Sequence, residues 1–246
     1  MVYCFDGTKY GLLTALLIAF PDPAAIVTSG RAQIPLGMAT IDVPTDLARA
    51  KRAEERLLSF DCDCAFDLDR LLRSGADNRE QLAFKYLRLI AQEKRPVCKR
   101  LANPDVFAAV ECIKRVGHEI HKMHGFIRFM ETESGALYAP FSPDNDICDL
   151  LVPHFRARLP QFPFVLYDVK RQKAAVYDGK NTFVAPLAQA DILLSADELG
   201  WQSLWKEYYG AVNIPCRERL KQMRGYMPKR YWKFLPERQE TPPDMP

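Results

Sequence analysis

The sequence lacks the long apolar run that a membrane-spanning helix requires. Its longest apolar stretch covers residues 12–20 and is interrupted by Thr14, well short of the roughly 20 residues that cross a bilayer. The first ten residues, MVYCFDGTKY, carry no basic leader ahead of this stretch and therefore do not resemble a signal peptide. These absences predict a cytoplasmic protein that has no membrane partner.

The sequence also lacks a paired cysteine framework. Its seven cysteines are odd in number and scattered, at positions 4, 62, 64, 98, 112, 148 and 216. Such a set excludes a disulfide scaffold and is typical of reduced thiols in a cytosol. Cys62 and Cys64 form a C-x-C pair without a second pair, whereas a structural zinc site needs four ligands. We therefore interpret this pair as structural, and the sequence predicts no metal site and no cofactor.

Motifs that would identify a common enzyme class are missing. The chain contains neither glycine-rich phosphate-binding motif, G-x-x-x-x-G-K-[ST] or G-x-G-x-x-G, and no G-x-S-x-G serine elbow,. The segment HEIHK at 118–122 fails the zincin pattern because its second histidine is three residues away instead of four,. His118, His121 and His124 could bind a metal or form a polar helix end favoured by the helix dipole, and we favour the second interpretation.

The sequence has no large excess of either charge, since 34 lysines and arginines oppose 31 aspartates and glutamates and give a net charge of +3. Its distribution is uneven, because the net charge is −2 over residues 1–93, +5 over 94–128, −4 over 129–200 and +4 over 201–246. The two positive segments are what a polyanionic partner would need. Solvated helix faces would produce the same alternation, so charge leaves both explanations open.

The order of hydrophobic periods predicts the fold class. Helical spacing comes first, period-2 segments follow after Gly125, and helical spacing returns near the C-terminus. The predicted helices cover 12–20, 46–59, 79–92, Asn103 to a left-handed Gly125, 145–158, a helix after the capping box Ser195-x-x-Glu198, and a short helix from Pro215; the predicted strands cover 2–5, 126–131, 136–141, 164–169, 174–177 and 182–185; residues 24–45 are a predicted loop. The pattern predicts an α+β fold with a small antiparallel β-meander, helices packed around it and a helical C-terminus. We expect one domain over 1–240 and a disordered tail over 241–246.

A 53-residue stretch holds the candidate catalytic groups. Polar side chains at the ends of elements in a single sheet layer can converge on one site. The candidates are Glu119, His121, Arg128, His154, Arg158, Asp168 and Arg171. Glu119 or Asp168 would act as general base, and Arg128 and His154 would stabilise charge. Structural roles can also explain these residues. Arg128 can extend outward to solvent from an edge strand or pair with a carboxylate in the interior, and Asp168 can form a local ion pair with Arg171.

The C-terminal segment combines basic and aromatic residues. Basic side chains contact phosphates, and interleaved aromatic rings offer stacking surfaces for unpaired bases. The candidate nucleic-acid-binding residues are Arg217, Lys221, Arg224, Lys229, Arg230, Tyr231, Trp232 and Lys233. The aromatic rings can instead pack onto the domain as a docking tail, and packing is the expectation for Trp232.

Four segments resemble a known family. They are MPKRYWKFLPE at 227–237, Y-x-F-D-G-T at 3–8, V-x-x-E-x-H-x-x-x-G-F-x-R-F at 116–129, and H-F-x-x-R at 154–158 leading to Y-D-x-x-R at 167–171. The chain is similar to a bacterial domain-of-unknown-function family whose members are labelled DNA metabolism or DNA repair proteins. Arg219 stands where the family pattern usually has Asn, so a role for that position does not carry over.

The resemblance implies a companion protein. Family members are typically encoded beside a radical-SAM protein thought to act on DNA, and some are fused to a uracil-DNA-glycosylase-like domain. Only nine residues follow Glu237, so we expect no fused glycosylase here. The three closely spaced cysteines of a radical-SAM cluster are missing from the sequence, so radical chemistry would belong to the partner.

Three functional hypotheses follow. The leading one is a DNA metabolism or DNA repair protein that binds nucleic acid and works with a radical-SAM partner. The second is an enzyme that processes damaged DNA, a glycosylase or hydrolase using the carboxylate, histidine and arginine site. The third is a docking adaptor without DNA contact, which would use the region of Trp201, Trp205 and Trp232. The sequence leaves open whether the protein is an enzyme.

Overall fold

The structure, a computed structural model, describes residues 1–30, 37–188, 192–214 and 219–239. The chain forms two compact units, of which the first ends at His118 and the second begins at Glu119. One domain over 1–240 stays a prediction, and the predicted tail over 241–246 lies outside the described residues. Among the described helices, none is both long and apolar enough to cross a bilayer.

Both units contain helices and strands. The α-helices are α1 (Lys9–Ala19), α2 (Leu47–Leu58), α3 (Cys64–Arg73), α4 (Arg79–Glu93), α5 (Pro104–Phe126), α6 (Val152–Arg158), α7 (Glu198–Val212) and α8 (Leu220–Tyr226). The strands are β1 (Val2–Cys4), β2 (Ile26–Thr28), β3 (Thr40–Asp42), β4 (Met130–Glu131), β5 (Leu137–Phe141), β6 (Phe164–Asp168), β7 (Lys173–Tyr177) and β8 (Thr182–Pro186). Short 3₁₀ helices cover Asp149–Leu151, Lys229–Phe234 and Pro236–Arg238. The predicted α+β class and helical C-terminus are confirmed; Pro215, the predicted start of the last helix, lies outside the described residues.

The first unit packs α1 to α4 around a small parallel sheet. Its strand order is β2-β1-β3, and both neighbours of β1 run parallel to it. The predicted loop over 24–45 is therefore wrong where β2 and β3 form. Each of these strands has only three residues, too few to display a period, and they are specified by pairing with the buried β1.

The start of α1 is held by a side-chain network. Thr8 is the N-cap, and its hydroxyl accepts the Gly11 amide at 2.9 Å. Asp6 in turn accepts the amide and the hydroxyl of Thr8 at 2.9 and 2.7 Å. A Cβ at Gly11 would overlap Oδ1 of Asp6, so this position requires glycine for reasons of space.

Helix α5 begins as predicted but ends differently. Asn103 caps it, since its side-chain oxygen accepts the amides of Asp105 and Val106 at 2.9 and 3.2 Å. The expected left-handed C-cap at Gly125 is wrong, because the helix continues to Phe126 and the φ of Gly125 is not positive. The predicted strand over 126–131 forms only at Met130–Glu131, so Arg128 lies between the helix and β4. Its Nη1 donates to the Gly125 carbonyl at 2.8 Å. The arginine side chain thus hydrogen-bonds a terminal carbonyl of the helix, a role that backbone amides have in a glycine C-cap.

The second unit is built on a five-stranded sheet of order β4-β5-β6-β7-β8. Adjacent strands are antiparallel as predicted, except that β5 and β6 run parallel. The exception arises because the 3₁₀ turn 149–151 and α6 form a crossover between these two strands, and a crossover returns the chain in the same direction. Pro153 lies in the first turn of α6, where its missing amide donor costs nothing.

Candidate functional site

A cleft of about 620 Å³ lies in the second unit. Its walls come from the end of α5, from β4 and β5, from α6 and from α7. Both aromatic and charged side chains line it. The polar and indole groups among its lining residues are His124, Arg128, Glu131, Arg158, Glu198, Trp201, Gln202 and Trp205. Of the predicted catalytic residues, Arg128 and Arg158 therefore lie in one cavity.

Arg128 is fixed at one wall of the cleft. Its Nη2 donates to Oε1 of Glu237 at 2.7 Å, and the guanidinium lies over the Trp205 ring at 5.4 Å. The Glu237 side chain is only 1% exposed, and its other oxygen accepts the Trp205 indole N–H at 2.9 Å. One carboxylate thus orients both the cation and the indole, and the charge of Arg128 is balanced inside the protein.

The ionisation of Glu237 reflects these contacts. Burial raises the pKa of this carboxyl, but its own backbone amide, Trp205 and the charged Arg128 all hydrogen-bond to the ionised form. Their combined effect holds the pKa of Glu237 below its ordinary value,. The carboxylate therefore stays charged at neutral pH as a fixed counterion.

Helix α7 is anchored to the sheet by Glu198. This buried carboxylate accepts the Glu131 amide of β4 at 2.8 Å and the Gln202 side-chain amide at 2.9 Å. The expected capping box with Ser195 is wrong, because Asp197 is the N-cap and makes no side-chain cap bond. Glu198 instead hydrogen-bonds the backbone of β4. The Ser195 hydroxyl has no hydrogen-bond partner within the described ranges.

The open side of the cleft carries exposed aromatic rings and a free cation. Trp201 is 58% exposed and Trp205 is 37% exposed. Arg158, also exposed, makes no hydrogen bond or ion pair with the described part of the chain. Guanidinium groups bind phosphates or carboxylates, and indole faces stack on planar rings. The cleft can therefore accept a flat, anionic ligand.

Glu119, predicted as a general base, lies at a different place in the second unit. It is 5% exposed and accepts four hydrogen bonds, from the Asp144 amide, from the amide and side chain of Asn145, and from the Tyr231 hydroxyl, at 2.6–2.8 Å. These contacts hold the loop after β5 against the C-terminal segment. The carboxylate acts structurally in this arrangement, and its catalytic role stays a prediction.

Asp168 and Arg171 support the same loop. Asp168 is fully buried and accepts Nη1 of Arg171 at 2.9 Å, together with the backbone amides of Lys170 and Arg171. Arg171 also donates to the Pro143 carbonyl at 3.1 Å. Burial raises the pKa of Asp168, although Arg171 opposes the increase. The expected local ion pair is present, and its carboxylate is fully buried.

The histidines pair in an unexpected way. His154 of α6 stacks on His124 of α5, with ring centroids 3.9 Å apart and planes 11° apart, while His121 is exposed. Nε2 of each stacked ring is buried and lacks a hydrogen-bond partner in the described structure. Burial lowers the pKa of His124, and the neighbouring His154 and His121 lower it further. His124 lines the cleft, so this stack links α6 to the cleft wall.

Possible metal ligands gather elsewhere. Over the described ranges, the group whose ligand atoms lie within 4.8 Å of one another is Asp61, Cys62 and Asp63, in the first unit. None of the histidines belongs to it.

The predicted nucleic-acid-binding residues divide into exposed and engaged groups. Lys221, Arg224, Lys229 and Lys233 are exposed and have no carboxylate partner among the described residues. Arg230 pairs with Asp144 at 2.6 Å, and Tyr231 is buried on Glu119. Trp232 is half-buried and donates to the Met227 carbonyl at 3.1 Å, in accord with its expected packing. Arg217 lies outside the described residues.

Two important residues were not singled out as site residues by sequence reasoning. Glu237 and Glu198 each connect segments far apart in the chain, and no local pattern reports such a pairing. The sequence did hold one clue. A tryptophan and an arginine that pack against apolar surface each need a hydrogen-bond acceptor, which points to a nearby carboxylate. Only the fold shows which carboxylate provides it.

Comparison with known proteins identifies a family over the segment that holds the cleft. Residues 77–237 match the model of a family described as a domain of unknown function, DUF4130. The match covers 161 of the 246 residues and includes every lining residue of the cleft. Neither the curated proteins nor the solved structures contain a match to the chain. The chain belongs to the DUF4130 family of domains of unknown function.

Proposed function

We propose that this protein binds single-stranded or locally unpaired DNA in DNA metabolism or repair. The cleft would receive an unstacked base, and the basic C-terminal segment would hold the phosphate backbone. The observation that carries the proposal is the presence of two partly exposed indoles beside the unpaired Arg158 in one cavity. Stacking on aromatic rings together with phosphate contacts is how unpaired strands are bound.

The charge arrangement supports the same ligand. Arg128 is balanced by Glu237, so it orients Trp205 and leaves Arg158 as the available cation of the cleft. Further exposed lysines and arginines lie on α8 and on the 3₁₀ helix 229–234, which follow α7 in the chain. From the resemblance of the sequence we further propose that a radical-SAM protein is the partner that acts on the bound DNA.

Fluorescence anisotropy with labelled oligothymidine and with duplex DNA tests the proposal. If Arg158, Lys221, Arg224, Lys229 and Lys233 each neutralise one phosphate, the log–log salt slope for the single strand is about −3.5. We expect Trp201→Ala to weaken single-strand binding by about 1–3 kcal/mol. Phe107→Ala removes a ring of the first unit that is also half or more exposed and should leave binding unchanged.

A charge variant provides a second, matched comparison. Arg158→Ala should lower the affinity and reduce the magnitude of the salt slope by about 0.7. Arg156 lies on the same helix over the ring of Tyr177, at 5.6 Å, so Arg156→Ala serves as the control. Binding that ignores salt, or that is equally reduced by both arginine variants, would exclude the cleft as the DNA site.

One observation favours a second candidate, the docking adaptor. Leu204, Tyr208 and Val212 of α7 are spaced at i, i+4 and i+8 and are all more than half exposed, and an exposed apolar stripe of this kind is typical of protein contacts. Trp232, in contrast, is half-buried and makes no such surface. Co-purification with a radical-SAM partner that persists at high salt, with no binding to free DNA, would favour the adaptor.

A further inference from the structure

A groove of about 500 Å³ lies in the first unit, between α1 and α2. Its floor and walls are apolar, and three arginines are the charged residues among its lining. The lining residues that matter here are Leu17, Phe20, Phe60, Arg49, Arg52 and Arg56. No acidic side chain lines it, and α1 and α2 precede the family match at 77–237.

The three arginines form one edge of this groove. Arg49, Arg52 and Arg56 are spaced at i, i+3 and i+7 along α2 and therefore lie on the same side of the helix, over about 10 Å,. Arg56 lies over the ring of Phe60 at 5.1 Å. Arg49 pairs with Asp46 at 3.4 Å in an exposed contact, and such contacts are easily exchanged for a partner's carboxylate.

The carboxylates of α2 do not compensate this edge. Glu54 forms an ion pair with Lys9 of α1, and Glu55 is not among the groove's lining residues. Neither Glu55 nor Arg52 makes an ion pair in the described part of the chain. The field at the edge of the groove is therefore positive, which favours an anionic occupant.

The charge pattern at the groove distinguishes its possible occupants. The apolar floor is open to solvent, since Leu17 is 45% exposed. A fatty acid has one anionic group at the end of its chain, whereas the three arginines are spread over about 10 Å of α2,. A row of arginines of this length matches an occupant that carries several acidic groups at intervals beside an apolar face.

We propose that this groove binds an amphipathic helix of a partner protein, with the helix's apolar face on α1 and α2 and its acidic residues beside Arg49, Arg52 and Arg56. Helices dock in grooves of this kind through apolar anchors at i, i+3 or i+4, and i+7. Acidic residues at the same spacing on the partner would face the three arginines. The proposal is independent of DNA binding, because it concerns the other unit.

Two labelled peptides test the proposal on the full chain by anisotropy. Each has about 18 residues with leucines at helical spacing, and the remaining positions are mainly glutamate in one peptide and lysine in the other. We expect the acidic peptide to bind saturably and the basic peptide to bind at least about tenfold more weakly. Both peptides have the same apolar face, so the difference reports the arginines.

Matched variants locate the binding site. Arg52→Glu should lower the affinity for the acidic peptide about tenfold. Arg115→Glu makes the same charge change at an exposed position of α5 and should leave this affinity unchanged. Leu17→Asp should abolish binding, and since Leu17 is almost half exposed the thermal unfolding midpoint should change little. Unfolding is measured for each variant.

Several outcomes would overturn the proposal. They are failure of the acidic peptide to bind, equal binding of both peptides, and equal effects of Arg52→Glu and Arg115→Glu. Sodium dodecanoate is included as a third probe, and binding of dodecanoate without the acidic peptide would show that the groove is a site for an anionic amphiphile instead.

Discussion

Oε1 of Glu237 accepts a hydrogen bond from Nη2 of Arg128 at 2.7 Å, across 109 residues of sequence. The same carboxylate holds the Trp205 indole through its other oxygen. The C-terminal segment therefore sets the orientation of two cleft groups that originate after α5 and within α7. Cleft geometry and the docking of the C-terminal segment should accordingly change together.

Glu237→Gln tests this relationship. Glutamine keeps an acceptor for Trp205 but removes the charge opposite Arg128, which is 27% exposed and so only partly hydrated. We expect the free energy of unfolding to fall by about 2 kcal/mol and the Trp fluorescence of the native state to change. Urea denaturation followed by fluorescence measures both effects.

The control is Glu207→Gln, at an exposed position of α7 without an ion pair in the described structure. It should change the stability by less than about 0.5 kcal/mol. If the two glutamine variants are equally stable, the Arg128–Glu237 contact does not hold the C-terminal segment.

Tyr231→Phe tests the support of the loop after β5. The hydroxyl donates to buried Glu119 at 2.6 Å, and burial together with Glu119 raises the pKa of Tyr231. Losing this donor leaves a buried carboxylate less satisfied, so we expect a loss of about 1–2 kcal/mol. Tyr226→Phe, at a position 69% exposed, should leave the free energy of unfolding unchanged.

A second variant at this position separates folding from DNA contact. Since Tyr231 is buried, its ring is not available to a base in the folded protein. Tyr231→Leu removes the ring that Tyr231→Phe keeps, and under conditions in which both variants are folded we expect both to bind oligothymidine with the same affinity. Weaker binding by folded Tyr231→Leu than by Tyr231→Phe would instead support the stacking contact that the sequence suggested.

The sequence predicted the fold class because long periodic segments determine it. The helix capped by Asn103 and the antiparallel pair β6–β7 follow from local signals, and both are confirmed. Local sequence patterns did not predict the features that depend on contacts between residues far apart in the chain. Strands β2 and β3 exist only through their pairing with β1, and Arg128 replaces a glycine cap at the end of α5.

The candidate site was predictable in part for the same reason. Arg128 and Arg158 were singled out by residue type, and the structure places both in one cleft. Glu119 and Asp168 look alike in the sequence as candidate bases, yet each is buried and held by several donors in the fold. Hydrogen-bond partners of a carboxylate depend on tertiary contacts, which spacing along the chain does not report.

Two glycine variants test the packing at the start of α1. Gly11→Ala would place a Cβ against the Asp6 carboxylate and 3.0 Å from the Phe5 ring. We expect a loss of about 2 kcal/mol in the free energy of unfolding. Gly117 in the middle of α5 has open space around its Cβ position, so Gly117→Ala should add about 0.5–1 kcal/mol through helix propensity. Equal effects of the two changes in urea denaturation would contradict the overlap at Gly11.

The stacked histidines predict an acid sensitivity of the second unit. Burial, together with His154 and His121, lowers the pKa of His124 in the folded state. Between that lowered pKa and the unfolded value of about 6.5, the unfolded chain binds more protons than the folded one. The contribution of this group is therefore neutral above about pH 6.5 and becomes increasingly destabilising as the pH falls towards the folded pKa.

His124→Gln should remove this contribution and narrow the difference in unfolding free energy between pH 7.5 and pH 5.5, which urea titrations at the two pH values measure. Carboxylates titrate in the same range in every variant, so the comparison is made with His118→Gln, at an exposed position of the same helix. Identical pH profiles for His124→Gln and His118→Gln would show that the stack does not sense protons.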